Sequence, residues 1–166
     1  MSTPSLDETH VVDDALRISW YAGKSIVSYQ PIKKTPDVLQ KWAGAILETI
    51  RNWPDSNPYL ALHDLSQPGV VLTYIGMLQN RILSISVTPE SVKQVEEHIA
   101  TRSGFRAKVA ICVAPSFSGQ LGMLFAQIED RTPNERPIDY RVFIDRDGAL
   151  RWLDMARREN QADAAE

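Results

Sequence analysis

The 166-residue chain has one cysteine, three scattered histidines and no long apolar run. A single cysteine excludes an internal disulfide scaffold. His10, His63 and His98 share no metal-ligand spacing, so neither a metal nor a cofactor is expected. No stretch approaches the ~20 apolar residues that cross a bilayer, so no membrane span is expected. Residues 1–14 lack the basic-then-apolar order of a signal peptide. Together with the cysteine usage, that predicts a cytoplasmic protein. There is no Gly-x-x-x-x-Gly-Lys phosphate loop and no Gly-x-Ser-x-Gly elbow. Basic residues gather only loosely, at Lys33-Lys34, at Arg102, Arg106 and Lys108, and at Arg157-Arg158. None is interleaved with aromatics on a recognisable nucleic-acid-binding motif, so they read as solvated faces and nucleic acid is not an expected partner.

What is present fits one globular domain. The net charge of −3 comes from 18 basic and 21 acidic residues. It is unevenly spread. Residues 1–14 hold four acids and no base, and residues 159–166 hold three acids and no base. The stretch between them keeps 14 acids and all 18 bases, a net of +4. The ends read as solvating segments: an acidic flexible N-terminus over 1–14 and a polar C-terminal tail over 157–166. The folded domain is then 15–156.

Patterning inside that domain alternates strands with helices. Arg17 to Ala22 and Lys24 to Gln30 are rich in β-branched and aromatic residues, with Gly23 between them, and predict a hairpin. Thr35-Pro36 carries helix-opening chemistry, with the threonine as a side-chain cap. Leu39, Trp42, Ile46, Ile50 and Trp53 follow on one helical face, and Pro54 ends it. Tyr59 to Leu65 and Lys108 to Ala114 are apolar runs of the kind that form strands covered on both faces. Residues 70–87 give mixed helix and strand signals. A second helix runs from Thr88-Pro89 to Gly104, and a third follows the Pro115–Gly119 turn. Tyr140 to Ile144 is a strand, and Asp145 caps a closing helix. The expectation is an α/β domain: a mixed sheet of four to five strands, with an N-terminal hairpin and helices packed against it.

Three stretches carry a likeness to a known family. They are Leu62-His-Asp-Leu-Ser66, Arg106-Ala-Lys-Val-Ala-Ile-Cys-Val113 and Tyr140-Arg-Val-Phe-Ile-Asp-Arg-Asp-Gly-Ala-Leu-Arg-Trp-Leu153. Across residues 15–156 the chain resembles the STAS-like, anti-sigma-factor-antagonist family, and more closely its bacterial STAS/SEC14-type branch. The resemblance implies a non-catalytic regulatory or ligand-binding module. It departs from the phosphorylated members. Where they carry Asp-Ser-x-Gly, this chain reads Leu72-Thr-Tyr-Ile75, with Thr73 the only hydroxyl at the motif's acceptor position.

Ligands in open α/β sheets bind beyond the C-terminal ends of the strands. That edge gathers His63, Asp64, Ser66 and Gly69 from one strand end, and Ser116, Ser118 and Gly119 from the next. His63 and Asp64 are adjacent, so they point to opposite faces and make no simple dyad. The bland alternatives are a core-packed His63, an Asp64 that caps its own turn, and hydroxyls at Ser66, Ser116 and Ser118 that serve turns and caps. The sharper readings are a regulatory protein partner or a small apolar or anionic ligand at this edge, with Ser66 and Thr73 as phosphate acceptors. The tryptophans Trp42, Trp53 and Trp152 read as helix–sheet packing, and Cys112 as an inert core thiol. Two competing functions remain: a homodimeric structural subunit, and a small hydrolase pairing His63 with Ser116 or Ser118.

Overall fold

The computed structural model describes residues 2–33, 35–67, 90–102, 104–115 and 138–163. The elements run β1 (Leu6–Val12), β2 (Leu16–Tyr21), β3 (Ile26–Pro31), α1 (Pro36–Arg51), β4 (Tyr59–Leu65), α2 (Glu90–Thr101), β5 (Ala107–Val113), β6 (Ile138–Phe143) and α3 (Arg146–Asp163). The strands form one sheet in the order β1-β2-β3-β4-β5-β6. The first three pair antiparallel, and β3 through β6 pair parallel. The α/β class and the mixed sheet with its N-terminal hairpin are as expected. The ambiguous stretch 70–87 and the helix after Gly119 lie outside the described residues.

Six strands are seen rather than four or five. The additional strand, β1, comes from residues that composition alone assigns to a flexible acidic end. Asp13 (φ 47) and Asp14 (φ 51) both sit in the left-handed region, and the Ala15 amide donates to Val12 O at 2.9 Å. Positive φ at both central residues is what a two-residue hairpin turn needs, and aspartate tolerates it better than most side chains. Two acids that look like solvating charge are therefore turn residues. Thr9, Val11 and Val12 supply the β-branched content of the strand.

By register the β2–β3 turn is one residue longer, over 22–25. Ala22, Gly23 and Lys24 are all left-handed, with φ of 55, 65 and 60. Strand β1 holds it: the Lys24 amide donates to Asp7 Oδ2 at 2.8 Å, and the Ala22 amide donates to Ser5 O at 3.1 Å.

The alternation of β4 divides the interior in two. Tyr59, Ala61 and Leu65 face one layer together with Trp42, Ile50 and Trp53 of the α1 region and Phe105 beyond α2. Leu60 and Leu62 face the other, against Leu150, Leu153 and Ala156 of α3. Helices on both faces explain why β4 and β5 read as unbroken apolar runs. Helix α1 forms along its predicted apolar face but ends at Arg51, two residues short of Trp53, and its N-terminal cap differs too. Thr35 makes no side-chain capping bond. It acts through its backbone, with the Val38 amide donating to Thr35 O at 3.1 Å. Gly104 (φ 78) closes the α2 segment, as its freedom in the left-handed region allows. Helix α3 also runs past the expected boundary, to Asp163 rather than into a tail from 157. Its buried Asp154 accepts from Arg157 Nε and Arg158 Nε, each at 2.9 Å.

One basic residue expected on a solvated face is instead part of the frame. Arg102, at the end of α2, donates to the carbonyls of Ile50 and Trp53, both at 2.6 Å, and pairs with Asp55. Its guanidinium also lies over the Phe105 ring. The last carbonyls of a helix have no partner within it, so this side chain completes the end of α1. Arg102→Ala should lower stability by about 3 kcal/mol in urea denaturation, because it removes charged donors from carbonyls screened from water. Arg51→Ala, an exposed change on the same helix, should stay within about 0.5 kcal/mol of the parent. Equal midpoints for the two variants would refute the capping role.

Candidate functional site

At the C-terminal end of β4, alternation sends adjacent residues to opposite faces. His63 enters the α1 layer and Asp64 the α3 layer. The imidazole meets the Trp42 ring edge-on at 4.9 Å between centroids and the Tyr29 ring at 5.7 Å. Its Nε2 is enclosed and has no hydrogen-bond partner among the described residues. Burial disfavours the imidazolium and pushes the His63 pKa down to about 3. Behind it, the buried hydroxyls of Tyr29 and Tyr59 share a 3.0 Å hydrogen bond. Burial drives both phenols well above their ordinary pKa.

On the other face the register lines up one residue per strand. Val11 pairs with Arg17, Arg17 with Gln30, Asp64 with Cys112, and Cys112 with Phe143. The β3–β4 register, with Tyr29 opposite His63, brings Gln30 beside Asp64. Asp64 is 1% exposed. A carboxylate so placed needs donors, since leaving it unpaired costs several kcal/mol. Four donors meet it. Oδ1 accepts from the Ser66 amide at 3.1 Å and the Ser66 hydroxyl at 2.5 Å. Oδ2 accepts from Gln30 Nε2 at 3.1 Å and Arg146 Nε at 3.2 Å. Arg17 Nη1 donates to Gln30 Oε1 at 2.6 Å and extends the chain outward.

Arg146 stands at the first turn of α3, where Asp145 Oδ2 accepts from the Gly148 amide at 2.9 Å as an N-terminal cap. Its guanidinium lies 5.6 Å from the Tyr21 ring centre and donates through Nη2 to the Tyr21 hydroxyl at 2.5 Å. The two side chains meet across a row whose sheet residues are Ser19 and Ser28, both small and buried. Burial alone would ease deprotonation of Arg146, but the Tyr21 hydroxyl and Asp64 outweigh it and hold its pKa up. Cys112 neighbours Asp64 in the row, and burial, followed by the Asp64 charge, pushes its thiol up to about 11. A thiol so raised is a poor nucleophile.

Of the residues expected at the ligand edge, Asp64 and Ser66 come together, while His63 is on the far side of the sheet. Gly69, Thr73, Ser116, Ser118 and Gly119 lie outside the described residues. The sequence reading missed Arg17, Tyr21, Gln30 and Arg146. A signal for two of them existed, since Arg17 and Gln30 sit at mirrored positions about the Gly23 turn. Arg146 gives no such signal, because its partner is 82 residues away. Among the described residues, no three His, Cys, Asp or Glu side chains gather as metal ligands, and no helix is long and apolar enough to cross a membrane.

The His63 environment gives a pH prediction. Unfolded, the imidazole binds a proton below about pH 6.5. Folded, it resists protonation down to about 3. Between those values the unfolded state holds the extra proton, so His63 makes stability fall as pH drops. Its share of the slope is at most about 1.4 kcal/mol per pH unit. His63→Phe should show a shallower loss of stability between pH 6.5 and 4 in urea titrations, and identical slopes would contradict it.

No family model matches the chain, and no match is found among the curated proteins or the solved structures.

Proposed function

We propose that the chain is a non-catalytic binding module of the STAS-like kind, regulatory in role. It acts through a protein partner or a small anionic ligand at the edge around Asp64 and Ser66. One observation carries this reading. The carboxylate at the C-terminal end of the central strand is engaged by four donors. A general base must instead reach the proton it takes. In this arrangement Asp64 serves as an anchor, fixing Arg146 at the mouth of the site. The setting of His63 argues the same way, because its imidazole is enclosed against the Trp42 and Tyr29 rings, whereas a general base must reach the hydroxyl it activates.

A test pairs turnover with binding. The full chain is assayed against p-nitrophenyl esters beside His63→Phe, and both are examined by native mass spectrometry. The expected result is the same background hydrolysis in both proteins, together with a retained small-molecule mass or a stoichiometric partner. Ester turnover above background in the wild type that His63→Phe abolishes would overturn the proposal.

A further inference from the structure

The row on the α3 face has a consequence for ligand class. Arg146 donates directly to the Asp64 carboxylate, and Arg17 is linked to the same carboxylate through Gln30. The partner of Arg17 is a neutral amide, so among the described residues the row sets two guanidinium charges against one carboxylate. Among the described residues, three other carboxylates near the row have partners of their own. Asp145 caps α3 and pairs with Arg151, Asp7 accepts from the Lys24 amide, and Glu8 pairs with Lys24. Helix α3 packs mainly on β4, β5 and β6, and it shares a buried cluster with Tyr21 of β2 and Ile26 of β3. Arg17 is exposed and the Arg146 side chain is 39% exposed, so solvent reaches both. Among the described residues, the internal bonds use one nitrogen of Arg17 and two of Arg146. A guanidinium has five N–H donors in a planar fork, which suits the paired oxygens of a carboxylate or phosphate.

We propose that Arg17 and Arg146 together bind a small oxyanion, a carboxylate or a phosphate, where their solvent-accessible forks leave the row beside Gln30 and Asp64. The proposal rests on the ligand-binding reading above and names its ligand class. Gln30 and Asp64 act as positioning residues, holding the two forks on one side of the sheet.

The test uses the full chain at constant ionic strength in chloride. Inorganic phosphate and acetate are titrated separately while the arginine Nε–Hε NMR signals are followed. Saturable shifts at Arg17 and Arg146 are expected with at least one of the two anions, and the one that saturates assigns the ligand class. Arg17→Gln should weaken that binding by about tenfold, the effect of one lost charge-assisted hydrogen bond. Arg146→Gln would strip Asp64 of its cation and endanger the fold, so the second variant is Arg146→Lys. It keeps the charge, loses the fork and should also weaken binding. No saturable shift with either anion overturns the site. So does unchanged affinity in both variants, although binding that survives them leaves the broader ligand-binding reading standing.

Discussion

A carboxylate removed from water has few ways to be stable, and Asp64 shows what a fold must supply around one. It sits on the central strand, almost wholly buried, so its oxygens have to find donors within the protein. Those donors come from three separate parts of the chain: Gln30 at the end of β3, Ser66 just past β4, and Arg146 at the start of α3. Satisfying one group therefore fixes the end of the antiparallel ribbon, the exit of the central strand and the entry of the closing helix. The apolar contacts of Leu150 and Leu153 supply area but little direction. The hydrogen bonds of Asp64 set where along the sheet α3 begins.

The opposite layer is fixed by different physics. Trp20 stacks on Trp53, which meets Tyr59 edge-on, and Tyr59 in turn leans on Phe105. Aromatic faces in contact are worth about 0.5–1.5 kcal/mol a pair beyond their buried area. Arg102 closes that layer by reaching two carbonyls at the end of α1. His63 belongs to this aromatic layer, where a neutral imidazole fits and a charged one does not. The one-residue alternation of β4 thus assigns His63 to packing and Asp64 to a polar network, though the two are neighbours in sequence.

Much of this was legible from local pattern. The helical spacing of Trp42, Ile46 and Ile50, the apolar runs of β4 and β5, the Gly23 turn and the Asp145 cap each depend on nearby residues, and each forms as its pattern indicates. The opposed faces of His63 and Asp64 follow from the period of a strand. Failures came where charge was taken as solvation. Asp13 and Asp14 are turn residues, Arg102 is a helix cap, and Arg157 and Arg158 serve a buried Asp154. A charged side chain is the same letter in either setting, and only the tertiary partner distinguishes them. The Arg146–Asp64 pair spans 82 positions, and no short-range pattern encodes it.

The charge distribution takes on a different meaning once partners are assigned. A net of +4 between residues 15 and 158 looks like a diffuse basic body. Glu8 and Asp13, outside that stretch, offset part of it, and other cations have partners within it. Lys41 lies between Asp37 and Asp13, Lys24 faces Glu8, and Arg102 holds Asp55. Two of these acids, Glu8 and Asp13, belong to the end first read as a solvating tail, so that segment both adds a strand and balances cations of the domain. Arg17 is different, because its hydrogen-bond partner is a neutral amide. Beside it, Arg146 shares a single carboxylate. Among the described residues, two guanidinium groups thus meet one carboxylate along a single row of the α3 face. Local excess of this kind, held in fixed geometry, attracts anions more effectively than the same charge spread over a surface.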